Sequence, residues 1–103
     1  MPDITEAKVL YDADKLDNLG AIGIGRGFMF ASELGAKFHD KNVDLKNTNP
    51  YSKDDTAYRY FLETQSEIIK KMMTIEGRRI GKERLKFMKQ FFVRLNKEVD
   101  GQL

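Results

Sequence analysis

A chain of 103 residues, 41% hydrophobic and 33% charged, is long enough for one domain with a core of its own and too apolar to stay disordered. Eighteen Lys and Arg against sixteen Asp and Glu leave a net charge of +2, which carries no nucleic-acid signal unless the cations cluster. Zero cysteines exclude disulfides and thiolate metal sites, no apolar run approaches the ~20 residues of a membrane span, and the polar opening MPDITEAKVL does not read as a signal peptide, so a cytoplasmic protein with no membrane partner is expected.

The fold class expected is all-α, a bundle of about four helices in a single helical domain over 1–103. The first helix is predicted near 4–18, with Pro2 at the entry and Asp3 or Thr5 as a cap. A second, near 20–34, stops at Gly35, a C-cap residue. Residues 36–55 read as a long connection, dominated by turn formers such as Asn47-Thr48-Asn49-Pro50. A third helix near 56–73 places Tyr58, Phe61, Leu62, Gln65, Ile68, Ile69 and Met72 on one face, with Arg59, Glu63, Glu67, Lys70 and Lys71 opposite. After a turn at 74–77, a last helix near 77–99 runs antiparallel to the third. It carries Ile80, Phe87, Met88, Phe91 and Leu95 on one stripe, with Leu85, Phe92 and Val99 beside it. That apolar face is wider than one helix contact requires, so the chain is expected not to be a simple monomer.

The segment from Asp12 to Arg26 holds three carboxylates within six positions. Asp14 and Asp17, three apart, share a helix face with Leu10 and Ala21 near them, whereas Asp12 points elsewhere. One reading is a cation on Asp14, with or without Asp17. The other is a carboxylate that caps a neighbouring helix or pairs with Arg26 or Arg84. A calcium loop fails on spacing, because its sixth position is Asp17 rather than Gly and its twelfth is Gly23 rather than Glu. A dinucleotide loop fails as well: Gly23, Gly25 and Gly27 are not in G-x-G-x-x-G order and no strand precedes them. His39-Asp40 lies in the polar connection and reads as a solvated pair, since one imidazole is not a metal site. Arg84 falls on the apolar stripe of the last helix and is expected to meet a carboxylate, with Asp12, Asp17 and Glu63 the candidates; Asp17 and Arg84 are thus assigned to structural ion pairs.

The run Asp12-Ala13-Asp14-Lys15-Leu16-Asp17, followed by Gly20-Ala21-Ile22-Gly23-Ile24 and Arg26, resembles the DADxLDxxGAIGIxR stretch of bacterial HD-superfamily metal-dependent phosphohydrolases. Met73-Thr74, Gly77, Ile80, Arg84, Phe87-Met88, Phe91 and Glu98 support the likeness, which spans nearly the whole chain and about the C-terminal half of such a domain. The resemblance implies an all-α fold and a divalent metal held by a His, a His-Asp pair and a later Asp. Asp14 looks like that later Asp, and Lys15 and Arg26 like residues that neutralise substrate phosphate. The His and His-Asp belong upstream in the family, so His39-Asp40 does not match them. Tyr60 and Thr64 depart from the His and Lys that relatives tend to carry there. Two functions follow: half of a phosphohydrolase acting on phosphate esters or nucleotides, inactive alone and binding metal weakly, or a non-catalytic helical module. In either case the expected partner is a second copy or a chain supplying the missing half-domain.

Overall fold

A computed structural model of the chain describes residues 4–102. Its elements are helix α1 (Ile4–Leu16), α2 (Gly20–Glu33), α3 (Ala57–Glu63), a 3-10 helix (Gln65–Lys71) and α4 (Ile75–Val99), with no strand among the described residues. The all-α expectation holds. Pro2 and Asp3, proposed at the entry of the first helix, lie outside the described residues.

α1 ends two residues earlier than its periodicity suggests. The amides of Asn18 and Leu19 turn back to the carbonyls of Lys15 and Leu16, and Gly20 takes a φ of +72°, a value that disfavours any side chain. The aliphatic stem of Arg84 packs over Gly20, so that a Cβ there would sit 3.1–3.3 Å from it. α2 closes at Gly35 as expected. The Gly35 amide donates to Ser32 O and the Ala36 amide to Ala31 O, which satisfies two of the carbonyls a helix end leaves open.

The third predicted helix is two elements. α3 is capped by the Thr56 hydroxyl, which accepts from the Arg59 amide, and stops at Glu63. Tighter 3-10 turns then carry the chain to Lys71. Buried Gln65 follows the break, and its amide donates to Asn18 O at 3.2 Å and Gly23 O at 2.9 Å. Side-chain bonds to a neighbouring backbone thus reward a kink that a run of good helix formers conceals. α4 begins at Ile75, two residues before its predicted start, because the Thr74 hydroxyl accepts from the Gly77 amide and serves as N-cap.

Leu19, Ile24, Phe61, Ile68, Met72, Leu85, Met88 and Phe92 make one core. α4 lies mainly against α2, with α1 and the 3-10 helix also on it. Phe92 is the hub: Phe61 stacks on it at 4.8 Å, with Tyr58 at 5.1 Å and Phe91 edge-on at 5.2 Å. The predicted stripe of α4 is therefore rotated. Leu85, Met88 and Phe92 are hidden within the chain, while Phe87 and Val99 stay half exposed.

Candidate functional site

The α1–α2 turn, α2 and the long connection build a groove. Asn18, Arg26, Met29, Phe30, Glu33, Tyr51 and Tyr60 line it around a volume of about 390 Å³. A relay of hydrogen bonds fixes its floor. Gln65 holds the carbonyls of Asn18 and Gly23, and the Asn18 amide donates to the Tyr60 hydroxyl at 2.8 Å. Gly23 fits this arrangement because a Cβ there would stand 2.5 Å from Asn18 O. Tyr51 and Tyr60 each lie 5.8 Å from Phe30, giving one aromatic wall. Tyr51 has a φ of +57°, and its amide donates to buried Asp55 at 3.0 Å. Arg26 is exposed at the groove and has no hydrogen-bond or ion-pair partner among the described residues.

Of the candidate site residues named in the sequence, Arg26 lines the groove, together with Tyr60, which stood out there as a departure from relatives. Asp14 and Asp17 are exposed on or just beyond α1, and Lys15 sets its ammonium 5.2 Å from the ring of Tyr11. Among the described residues no group of three or more His, Cys, Asp or Glu side chains comes together. The described side chains therefore do not by themselves gather the ligands a divalent ion requires.

Asp12 is the carboxylate that takes the capping role. Its Oδ1 accepts from the Met73 amide at 2.8 Å, and its Oδ2 accepts from the Thr74 amide at 2.7 Å and the Thr74 hydroxyl at 2.6 Å. Burial opposes the charge, but the Thr74 hydroxyl, the two amides and nearby Arg78 outweigh it and hold this carboxyl below its ordinary range. Gly77 is obligatory beside it, since a Cβ there would collide with Asp12 Oδ2 and Thr74 Oγ1.

Three expectations are corrected. Arg84 meets no carboxylate: its Nη1 donates to the Leu16 carbonyl at 2.6 Å, joining the Leu19 amide on an oxygen at the partly negative C-terminal end of α1. Asp17 likewise has no ion-pair partner among the described residues, where the turn leaves it in water. His39 is not solvated. Its ring lies 5.2 Å from Tyr58 and its Nε2 is 2.6 Å from Asn96 Oδ1, so the imidazole pins the connection to α4.

Arg59, expected on the solvent face, is buried. It bonds Thr48 Oγ1 at 2.6 Å, Asp55 at 3.1 Å and Glu63 at 2.5 Å. The groove residues that sequence pattern does not mark as a site are Asn18, Met29, Phe30, Glu33 and Tyr51.

No protein-family model matches the chain. Over 96 residues it is 38% identical to YpgQ, an uncharacterised protein of Bacillus subtilis, a match taking in 93% of this chain and 41% of YpgQ. The crystal structure of YpgQ in complex with ADP aligns with a TM-score of 0.75 and 34% identity, over 100% of this chain and 50% of that one. The crystal structure of an HD-superfamily hydrolase from Bacillus thuringiensis aligns with a TM-score of 0.80 and 28% identity, over 95% of this chain and 48% of that one. The chain resembles half of an HD-superfamily hydrolase. It spans about half the length of the relatives it matches, and no helix among its described residues is long and apolar enough to cross a membrane.

Proposed function

We propose that this chain is one half of an HD-type phosphohydrolase unit, and that its part is to bind the phosphate ester or nucleotide rather than to complete the reaction. The observation that carries the reading is the groove, with an unpaired guanidinium against an aromatic wall. Arg26 would take the phosphate, with Phe30, Tyr51 and Tyr60 offering faces for a base. Glu33 stands two helical turns beyond Arg26, about 10 Å along α2, where it would accept from a ribose hydroxyl or an exocyclic amine. ADP in the YpgQ crystal structure supports a nucleotide over a smaller ester. Asp14 would give one metal ligand once a second unit supplied the others, and Lys15, on the same helix, would add positive charge.

Calorimetric titration with ADP tests this. Binding is expected, with Arg26→Ala weakening it about tenfold or more, as loss of a charge-assisted contact predicts. Phosphate release from ADP with manganese present should stay at the blank. Equal affinity in wild type and variant would sink the groove; metal-dependent turnover that vanishes in Asp14→Ala would show a complete centre.

A helical association module is the second reading. Leu10, on the same side of α1 as Asp14, is 66% exposed, and Met29 on α2 is 68% exposed. Burial of such faces between two copies recovers roughly 25 cal/mol per Å². Sedimentation equilibrium at micromolar concentration should give a species of twice the chain mass, reverting to monomer in Leu10→Glu. A wild-type monomer that binds no hydrophobic dye would overturn it.

A further inference from the structure

The nearly balanced net charge conceals a segregation that the fold makes visible. α4 carries eight Lys and Arg against three Glu. Two of those glutamates are consumed on its flanks, Glu76 by Arg79 and Glu98 by Arg94. Lys82, Lys86, Lys89 and Lys97 recur at helical spacing along one exposed face, and among the described residues none has a carboxylate within ion-pair distance. A solvated helix ordinarily alternates its charges at i, i+4. The four lysines run over about 22 Å of helix, flanked by one glutamate, Glu83, three residues before Lys86. A shallow hollow of about 450 Å³ follows it between Lys89, Val93 and Lys97.

We infer that the lysine face of α4 binds the phosphate backbone of a nucleic-acid duplex. The argument is charge complementarity along a line: a straight row of ammonium groups faces a rod carrying one negative charge per ~1.7 Å of axis. Lysines act as point charges on backbone phosphate, so the contact is independent of sequence. Val93 is the large apolar side chain among these lysines, and no aromatic residue stands with them. Single strands call for aromatic stacking platforms, and an anionic membrane calls for bulky apolar anchors opposite the basic face. The duplex is the polyanion that needs neither.

The test uses the full chain and a fluorescent 20-base-pair duplex of mixed sequence, read by anisotropy between 50 and 200 mM salt. Four phosphate contacts predict that log affinity falls against log salt with a slope of about −3.6. Replacing Lys82, Lys86, Lys89 and Lys97 together by Gln should weaken binding at 50 mM salt more than about tenfold, with the slope moving towards zero. If circular dichroism shows that the quadruple variant loses helix, Lys86→Gln and Lys89→Gln singly should each reduce the slope by about one. Arg26→Ala should bind the duplex as wild type does. The inference is overturned by no anisotropy change at 50 mM salt, by unchanged binding in the lysine variants, or by a preference for phosphatidylserine vesicles over the duplex.

Discussion

Asp12→Ala should destabilise the fold by about 3 kcal/mol, a large fraction of what holds a domain of this size. The substitution removes one buried carboxylate and strands three donors, the amides of Met73 and Thr74 and the Thr74 hydroxyl, at a part-buried corner. A buried donor left without an acceptor costs about 1–3 kcal/mol, and the Thr74 hydroxyl can turn to recover part of this. Urea unfolding should show a lower midpoint with an unchanged slope. Gly77→Ala should cost a comparable amount, because its new methyl group drives the same carboxylate off the same amides. The double variant should then fall short of the sum of the two singles, since both break one contact set. Acid sharpens the prediction. The folded carboxyl lies below its ordinary value, so its stabilisation is fully present above the unfolded pKa of about 3.9 and fades as pH falls through the folded one. Wild type should therefore lose stability below pH 4 more steeply than Asp12→Asn. Parallel acid limbs for the two proteins would mean that Asp12 does not carry the linkage.

The helices were legible wherever apolar spacing and a terminal signal agreed. α2 ran from the Gly20 turn to Gly35, and α4 came from its long stripe, with only its start misplaced because Thr74 is polar and sits beyond the last periodic residue. The break at Thr64 was not legible. Nothing in Thr-Gln-Ser-Glu forbids a helix, and the cause lies across the fold, in the carbonyls of Asn18 in the α1–α2 turn and Gly23 in α2 that Gln65 serves. Among the acidic residues, spacing separated Asp12 from Asp14 and Asp17 and named capping as an alternative. It could not say that Asp12 caps α4, because its partners are 61 and 62 residues away. Arg84 shows the same limit: a cation on an apolar stripe needs an acceptor, and a helix-end carbonyl serves where a carboxylate was expected. For the groove, Arg26 was readable because it closes a recognisable run. Tyr51 was not, since a tyrosine in a polar connection has no period to betray it.

Arg59→Ala should be at least as damaging, by about 3–5 kcal/mol, and its effect should reach the groove although Arg59 does not line it. Asp55 is 2% exposed, and Arg59 is its cationic partner. Removing one member of a buried pair leaves the other charge desolvated and unmatched, which is where that cost arises. The same guanidinium holds Thr48, through the hydroxyl at 2.6 Å and the carbonyl at 3.3 Å, so it ties α3 to the connection at a second point. Asp55 in turn holds the Tyr51 amide and, through it, the residue that stands edge-on against Phe30. Loss of Arg59 should therefore free the connection before the core melts. Trypsin should cut at Lys46 and Lys53 faster than in wild type while the helical circular dichroism persists at low temperature. Arg59→Lys keeps a charge but not the fork that serves Thr48, Asp55 and Glu63 at once, and should fall between wild type and Ala. ADP affinity should drop in proportion to the loosening, because the aromatic wall is assembled only when Tyr51 is held. Fast cleavage with undiminished ADP binding would separate the connection from the groove and leave Arg26 to act with Phe30 and Tyr60 alone.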